Sequence, residues 1–324
     1  MKVLTRDSVR QVLSLDNCIL AMEESFRTSV TSSADAQMLH AHAEDGEFHI
    51  KVGVSRDRDP MIAVKINGSF SNNATLGLPT IQGSIYLADS TTGQPLAIID
   101  SGLLTRMRTA STTAVATKYL SDPESTILAV CGTGVQAHES AVAIAAVRKL
   151  REIRVWGRDS QRAKQLAELL RTELDVTVVS CDVLRGATYN ADIIVTATSS
   201  RKPFVSQDDV SPSTFIAAIG ADSPDKQELD ARLVAQSVVI ADIEQQSATV
   251  GEVHHAISAG LMRASSIFGT LGQVITGDRS IASTIQRTII FDSTGTAMQD
   301  LAAARLVFAG AAARGLGIDI DLSS

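Results

Sequence analysis

The chain has 324 residues, a net charge of −7 and 44% hydrophobic residues. This length is enough for two domains, and the composition is that of an ordinary globular protein. The acidic balance disfavours nucleic acid as a partner, and no apolar run is long enough to span a bilayer. The N-terminal segment lacks the apolar core of a secretory signal. The three cysteines, Cys18, Cys131 and Cys181, form neither a metal motif nor a disulfide framework. Together these observations predict a cytoplasmic protein without membrane or nucleic-acid partners.

The first third of the chain mixes helix and strand patterns. Apolar residues at helical spacing predict a helix over residues 14–30, capped by Ser14 or Asp16. Asp45-Gly46, between two alternating segments, predicts a two-residue hairpin turn. Further strand patterns cover residues 61–68, 80–89 and 94–100, and a helical pattern over 103–121 ends before Pro123.

From Ser125 onward, short apolar strands alternate with helical segments. This alternation predicts a Rossmann-type, doubly wound parallel sheet, and therefore the α/β class. The amphipathic segment 296–317 predicts a long helix that packs back on the first domain. We therefore expect a dinucleotide-binding domain over residues 121–296 and a discontinuous α+β domain over residues 1–120 and 297–324.

A glycine turn follows the first strand of the second domain. Its residues fit the dinucleotide fingerprint G-x-G-x-x-G/A and are Gly132, Thr133, Gly134, Val135, Gln136 and Ala137. The first glycine makes the turn, the second lets backbone N–H groups approach a pyrophosphate, and the alanine lets the helix lie close to the strand. The apolar strand before the motif and the helix after it strengthen this prediction.

The end of the next strand indicates which dinucleotide binds. An NAD site usually has an acidic residue there, whereas this chain has Arg158, followed by Arg162. Arginine suits a 2′-phosphate, so we favour NADP(H), with NAD(H) as the alternative. Asp159 fits equally well as the N-cap of the following helix, and Arg158 fits as an exposed surface cation.

With these residues the sequence resembles the ornithine cyclodeaminase/μ-crystallin family. The motifs that carry the resemblance follow the family order over nearly the whole chain: AVKING, GLPTIQG, LLTRMRTAST, CGTGVQA, SRKPFV, IGADSPDKQELD, GEVHHAISAGL and FDSTGTAMQD. The resemblance implies a Rossmann domain joined to a substrate-binding and dimerisation domain, usually in homodimers. It also implies hydride transfer between a nicotinamide and a C=N bond next to a carboxylate.

The resemblance further implies roles for individual residues. Lys65 and Arg108 would bind the substrate carboxylate, and Lys65 is a catalytic candidate together with Asp222, which would protonate the imine. A lysine inside an apolar strand supports a functional Lys65 independently, because a buried ammonium needs a partner. Without the resemblance, a helix-capping or turn aspartate before Ser-Pro is the preferred interpretation of Asp222. Further cofactor-binding candidates are Thr109, Thr198 and Ser293.

The predicted hairpin divides its side chains between two faces. A turn at Asp45-Gly46 pairs His42 with His49 and His40 with Lys51, on a polar face directed to solvent or to the substrate. The opposite, apolar face is suited to packing. The family often has an arginine near position 38; Lys51 would supply that cation, with His40 beside it as a second substrate contact. Such a lysine would repel the distal amine of ornithine.

Three histidines of the polar face raise a zinc hypothesis. They are His40, His42 and His49, and zinc sites commonly use three protein ligands. No spacing here is diagnostic for zinc, so we favour a polar surface or substrate hydrogen bonding and expect no metal.

These observations predict an NAD(P)H-dependent reductase of a small cyclic ketimine carboxylate, with Δ1-pyrroline-2-carboxylate as substrate and L-proline as product. Two alternatives use the same scaffold, an ornithine cyclodeaminase and an alanine dehydrogenase-type enzyme acting on an amino acid. A third alternative is a non-catalytic, crystallin-like protein that binds a dinucleotide.

Overall fold

A computed structural model describes residues 1–30, 35–57, 59–282 and 286–322. The chain forms two compact units, one of Met1–Arg108 with Thr296–Ser324 and one of Thr109–Gly295. The sequence places these divisions after residues 120 and 296, and the structure has them after Arg108 and Gly295. Among the described residues, no helix combines the length and the apolar character that crossing a bilayer requires.

The described residues form seventeen strands and eleven α-helices. The strands are β1 (Lys2–Leu4), β2 (Asp35–Ala43), β3 (Gly46–Val54), β4 (Met61–Ser69), β5 (Ile81–Asp89), β6 (Pro95–Asp100), β7 (Ile127–Cys131), β8 (Glu152–Trp156), β9 (Thr177–Ser180), β10 (Ile193–Thr196), β11 (Arg201–Val205), β12 (Phe215–Ala218), β13 (Gln227–Leu229), β14 (Val238–Ala241), β15 (Gly269–Thr270), β16 (Ile289–Asp292) and β17 (Ile318–Asp319). The helices are α1 (Arg6–Val12), α2 (Leu15–Ser29), α3 (Ser101–Leu120), α4 (Val135–Val147), α5 (Ser160–Glu173), α6 (Leu184–Thr188), α7 (Ala231–Gln236), α8 (Glu244–Ser247), α9 (Gly251–Ser258), α10 (Leu271–Thr276) and α11 (Ala297–Ala313).

The first unit is built on a seven-stranded sheet in the order β17-β1-β6-β5-β4-β3-β2. Strands β2 to β6 are antiparallel neighbours, and β1 joins β6 in parallel. Helix α11 covers one face of β3 and β4: a Cβ at Gly53 would lie 2.9 Å from the carbonyl oxygen of Ala297. The predicted cap of α2 is Ser14, in a reciprocal capping box with Asn17 that satisfies end N–H groups.

The hairpin of β2 and β3 has a different register from the predicted one. Ala43 pairs with Gly46, so the turn residues are Glu44 and Asp45, and the predicted turn at Asp45-Gly46 is wrong. Consequently His40 pairs with His49 instead of Lys51. The shift moves each partner by two residues, and because side chains alternate with a period of two, the division of residues between the two faces is unchanged.

The environment of these two faces also differs from the expectation. His49 and Lys51 of the polar face are buried on the α11 side, whereas His42 of the same face is exposed. The apolar face is the more exposed one: Leu39 is 59% exposed and Ile66, on β4, 44%. Buried polar groups can be retained where oppositely charged partners surround them.

The second unit contains an eight-stranded parallel sheet in the order β15-β14-β16-β12-β10-β7-β8-β9. Its central strands β10, β12, β14 and β16 are buried along their whole length, as expected for a sheet with helices on both faces. The strand order reverses at β7, with β8 on one side and β10 on the other. The predicted α/β class with a Rossmann-type sheet is therefore confirmed.

Candidate active site

The glycine turn after β7 has the backbone geometry of an anion site. Gly132 has φ +137°, and a Cβ there would lie 2.6 Å from the carbonyl oxygen of Ala197, so only glycine fits. Gly134 is the N-cap of α4, is exposed, and has no atom within 4 Å of a built Cβ. The first N–H groups of α4 are therefore accessible to a pyrophosphate, while Ala137 is fully buried against the sheet.

The structure brings several predicted residues to one edge of this sheet. Since the strands are parallel, the residues that follow β7, β10, β12 and β16 all lie at its carboxyl edge. Thr198 follows β10, Asp222 follows β12, and Ser293 directly follows β16 and donates its N–H to Ala218. Open α/β sheets bind ligands at this edge, where the strand order reverses.

The residues after β8 divide between capping and exposure. Asp159 is the N-cap of α5, and its side chain accepts hydrogen bonds from the backbone N–H groups of Gln161 and Arg162. This is the structural role that the sequence analysis considered for it. The side chain of Arg162 is exposed and lies 3.7 Å from the Asp159 carboxylate. Arg158 is exposed at the carboxyl end of β8.

Three buried carboxylates connect the loops of the carboxyl edge to one another; we call Glu228, Glu252 and Asp292 the carboxylate series. The Glu228 carboxylate accepts hydrogen bonds from the backbone N–H groups of Thr198 (2.6 Å) and Gly220 (3.0 Å). The Glu252 carboxylate accepts hydrogen bonds from the backbone N–H groups of Glu228 (2.8 Å) and Leu229 (3.0 Å). The main purpose of such contacts is to satisfy buried backbone donors that the sheet itself cannot pair.

Asp292 completes the carboxylate series at the end of β16. It accepts the N–H groups of Glu252 and Val253, each at 3.1 Å, at the start of α9. Burial raises the pKa of Asp292 to about 7, and it raises the pKa values of Glu228 and Glu252 above the ordinary value as well. The sequence predicted no such role for these acids and indicated only a loop or helix-start charge for Glu228, because the role depends on contacts between distant segments.

The segment after Asp292 is fixed by a fourth acid, Asp242, at the end of β14. Asp242 accepts the Thr294 hydroxyl at 2.7 Å and the Gly295 N–H at 2.6 Å. Gln246 donates to the same hydroxyl and to the Gly295 carbonyl. Ser293 is consequently held between two anchored positions and is 5% exposed.

Asp222 lies in a loop with an adjacent cation that the sequence analysis did not single out. Its carboxylate accepts a hydrogen bond from Lys226 Nζ at 2.5 Å, and the Asp222 side chain is 41% exposed. His255 contacts the carbonyl oxygen of Lys226 through Nε2 at 2.8 Å, so this histidine supports the loop.

In the first unit, Lys65 of β4 and Arg108 of α3 converge on one carboxylate. Lys65 Nζ lies 2.6 Å from Asp300 Oδ2, and Arg108 Nε donates to Asp300 Oδ1 at 3.0 Å. Arg108 also donates to Gln299 Oε1 at 3.0 Å. The ion pair is buried, with 3% of the Lys65 and 2% of the Asp300 side chain exposed. We call Lys65, Arg108 and Asp300 the charge cluster.

The charges of this cluster shift each other's protonation. Burial lowers the pKa of Lys65 to about 7, with Asp300 opposing the shift and Arg108 and Lys51 adding to it. Burial alone would raise the pKa of Asp300, but Lys65, Arg108 and Lys51 together bring it below its ordinary value. Lys51 pairs with Lys65 across β3 and β4, and its charge acts on both Lys65 and Asp300.

The polar face of the hairpin continues from the charge cluster along β3. His49, two residues before Lys51, is paired with Asn67 of β4 on one side and with His40 of β2 on the other. Glu47 Oε1 lies 2.9 Å from His49 Nε2. His42 is exposed, so His40 and His49 come together with Glu47 instead of with His42.

Thr109 begins the second unit's portion of α3 and accepts a hydrogen bond from the Thr113 hydroxyl through its carbonyl oxygen. Arg106, two residues before Arg108 on the same helix, is exposed, whereas Arg108 is buried. The choice of Arg108 over Arg106 as the functional arginine is therefore consistent with burial.

Three features define a dinucleotide-dependent enzyme of the Rossmann type: the parallel sheet, the anion-accessible glycine turn and the charge cluster. The model of the ornithine cyclodeaminase/mu-crystallin family matches residues 1–315, and the chain belongs to that family. The relatives that it matches include an iminosuccinate reductase and a Δ1-pyrroline-2-carboxylate reductase, and this chain is an NAD(P)-dependent oxidoreductase acting on C=N bonds.

Three sequence relatives span most or all of the chain. A putative dehydrogenase of Rhizobium meliloti is 37% identical over 99% of both chains. An iminosuccinate reductase of Paracoccus denitrificans is 35% identical over 81% of both chains. A Δ1-pyrroline-2-carboxylate reductase of Bacillus cereus is 30% identical over 99% of this chain and 100% of its own.

Two solved structures have nearly the same fold. An archaeal alanine dehydrogenase, a dimer with bound NAD, has a TM-score of 0.94 at 29% identity and covers 99% of both chains. The Δ1-pyrroline-2-carboxylate reductase of Thermococcus litoralis, in complex with NADH and L-proline, has a TM-score of 0.94 at 27% identity and covers 99% of this chain and 100% of its own.

Proposed function

We propose that this enzyme reduces a small cyclic ketimine carboxylate, with Δ1-pyrroline-2-carboxylate as substrate and L-proline as product. The observation that carries the proposal is the convergence of two buried cations, Lys65 and Arg108, on the carboxylate of Asp300. Lys65, Arg108 and Lys51 act on this one carboxylate in the described structure, so the cluster favours a further anionic group. A substrate carboxylate supplies that group.

In this proposal, Lys65 and Arg108 bind the carboxylate and orient the adjacent C=N bond. Asp222 gives a proton to the imine nitrogen, because an iminium carbon accepts hydride more readily than a neutral imine. Hydride then passes from the dihydronicotinamide to that carbon. The two cations suit carboxylate binding, and the carboxyl group of Asp222 suits proton transfer.

A cyclic imine fits the charges better than ornithine does. Lys51 is 5% exposed and lies on the same face as Lys65. A second ammonium on the substrate would meet this like charge, which is unfavourable in a buried setting. The NADH and L-proline named for the Thermococcus litoralis enzyme support the same substrate class.

A second candidate substrate is an acyclic imine with two carboxylates, such as iminosuccinate. Lys51 is the specific feature that favours it, because its positive charge, which acts on Asp300 and Lys65, would also attract a second carboxylate. The relative from Paracoccus denitrificans carries that activity in its name.

For the cofactor we propose a preference for NADPH over NADH. Asp159 is used as the cap of α5, and Arg158 is exposed at the end of β8, where a 2′-phosphate would be recognised. NADH remains the alternative, since the two similar structures contain NAD or NADH.

We also propose a homodimer formed through the apolar face of the first unit's sheet. Leu39, Ile50 and Ile66 are paired side by side across β2, β3 and β4, and two of them are among the exposed large apolar residues. Such a row costs free energy in water and suits a second copy of the chain. The dimer named for the archaeal alanine dehydrogenase supports this assembly.

A cytoplasmic location is part of the same proposal. None of the three cysteines forms a disulfide in the described residues, which suits a reducing compartment, and reduced nicotinamide cofactor is available there.

The assay that tests the function follows NADPH and NADH oxidation by the purified enzyme. The substrates are pyrroline-2-carboxylate, piperideine-2-carboxylate, oxaloacetate with ammonia, and pyruvate with ammonia. We expect the largest kcat/KM with pyrroline-2-carboxylate and NADPH, and a larger rate with oxaloacetate and ammonia would favour the second candidate. Release of ammonia from ornithine without net cofactor turnover would identify a cyclodeaminase and contradict the proposal.

Two further variants test the proposed cofactor preference and the proposed dimer independently of the substrate assay. Arg158→Ala should raise the KM for NADPH about tenfold and leave that for NADH unchanged, because one charged hydrogen-bonding partner is lost. Ile66→Lys should halve the mass measured by light scattering, while Val183→Lys, an exposed apolar position of the second unit, should leave it unchanged.

A further inference from the structure

The hairpin of β2 and β3 brings together three side chains that the proposed reduction does not use. His40 of β2 is paired directly with His49 of β3, and their rings lie edge to face with centroids 4.5 Å apart. Glu47 lies two residues before His49 and therefore on the same face of the sheet. Its carboxylate lies 2.9 Å from His49 Nε2 and 3.9 Å from His40 Nδ1.

These three residues present a complete set of protein ligands for a divalent ion. Each offers one ligand atom, and the three atoms lie within 4.8 Å of one another. Two imidazoles and one carboxylate are a common donor set for Zn²⁺, with a fourth position left for water or another ligand. Ligands of a tetrahedral zinc lie roughly 3.4 Å apart, so small side-chain rotations would complete the geometry.

The surroundings support ion binding at this place more than at an exposed histidine cluster. His49 is 7% exposed, and the side chains of His40 and Glu47 are 17% and 20% exposed. Partial burial reduces competition by water, and two adjacent strands hold the donors in a fixed register. One negative ligand with two neutral ones also lowers the charge of a bound divalent ion.

The cluster is separate from the residues that hold Asp300. Lys51 follows His49 by two residues on β3, a distance of about 7 Å along the strand, and pairs with Lys65. His49 pairs instead with Asn67, whose side chain accepts the Ser101 hydroxyl and donates to Thr105. The ligand atoms of the cluster are thus distinct from the donors of the charge cluster.

We propose that His40, Glu47 and His49 form a site for one zinc-class divalent ion. The ion connects β2 to β3 and retains an open coordination position. This inference replaces the sequence expectation of no metal: the third ligand is Glu47, which alternates onto the histidine face, and His42 is not a ligand. It does not depend on which imine the enzyme reduces.

The test uses full-length, tag-free enzyme stripped with a chelator. Co²⁺ is titrated while visible d–d absorption is recorded, followed by displacement with Zn²⁺ and by calorimetry with Zn²⁺ alone. We expect one ion per chain, with the absorption intensity of a four- or five-coordinate site. Binding should weaken at least about tenfold in Glu47→Gln and in His49→Ala.

His42→Ala is the matched control, because it removes an exposed histidine of the same strand. Its affinity should equal that of the unaltered enzyme, and circular dichroism should show all variants folded. Absence of a cobalt spectrum, or affinity unchanged in both Glu47→Gln and His49→Ala, would overturn the proposal. An affinity lowered as strongly by His42→Ala as by His49→Ala would do the same.

Discussion

Lys65 and Asp300 form a buried ion pair, with Nζ 2.6 Å from Oδ2, and Arg108 binds the other oxygen of the same carboxylate. The two cations that we expect to bind substrate are therefore positioned by a carboxylate of the chain itself. An ammonium has three donors and a guanidinium has five, so contact with Asp300 does not exhaust them. Asp300 orients the cations and leaves donors for a substrate carboxylate.

Asp300→Asn should destabilise the first unit by about 3–5 kcal/mol, because it leaves two buried cations without their anion. Urea unfolding, followed by circular dichroism, measures this loss. The double variant Lys65→Met/Asp300→Asn should be more stable than Asp300→Asn, since one of the two unpaired cations is also removed. Equal stability of the single and double variants would contradict the energetic coupling of Lys65 to Asp300.

The pKa of Lys65, lowered to about 7 by burial, predicts pH-dependent carboxylate binding. As pH rises above 7, the ammonium loses its proton, so the inhibition constant of pyrrole-2-carboxylate should rise about tenfold per pH unit. This inhibitor retains its carboxylate charge over that range. Lys65→Arg should remove the dependence, because a guanidinium stays protonated. An unchanged pH profile in Lys65→Arg would show that another group titrates.

Asp222→Asn should lower kcat by about 10²–10⁴-fold and leave the Kd for dinucleotide unchanged, because an amide cannot deliver the proton. Steady-state kinetics and fluorescence titration with NADPH measure the two quantities. Asp225→Asn is the control, since Asp225 is a carboxylate of the same loop that contacts Ser223 and Arg201. A kcat within threefold of the unaltered enzyme in Asp222→Asn would exclude Asp222 as the acid.

Asp292, with its pKa raised to about 7 by burial, predicts a decrease in stability with rising pH. Between about 4 and 7 the unfolded chain has lost this proton while the folded chain retains it, so higher pH favours unfolding. Asp292→Asn cannot ionise and should flatten the slope of unfolding free energy against pH in this window. Asp182→Asn, at an exposed carboxylate of the same unit, should keep the slope. A steeper slope in Asp292→Asn would contradict the direction of the shift.

Much of the fold could be predicted because its signals are local. The fingerprint at Gly132 and Gly134, the cap at Ser14 and the end of α3 before Pro123 each depend on residues near one another in the chain. The hairpin register was wrong by one turn position for the opposite reason. Asp45-Gly46 is a strong turn signal, but contacts along the whole length of β2 and β3 decide the register. The paired residues run from Ala43 with Gly46 at the turn to Asp35 with Val54 at the far end.

The sequence by itself determined the Rossmann sheet and the glycine turn, because periodicity and residue chemistry can be read in order. The candidates Lys65, Arg108 and Asp222 came from the family resemblance of the sequence. Only the tertiary structure decided which charges meet. Arg108 and Asp300 are 192 positions apart, and the carboxylate series joins residues 8 to 40 positions apart. A buried charge requires a partner, but packing of distant segments, not local sequence, selects that partner.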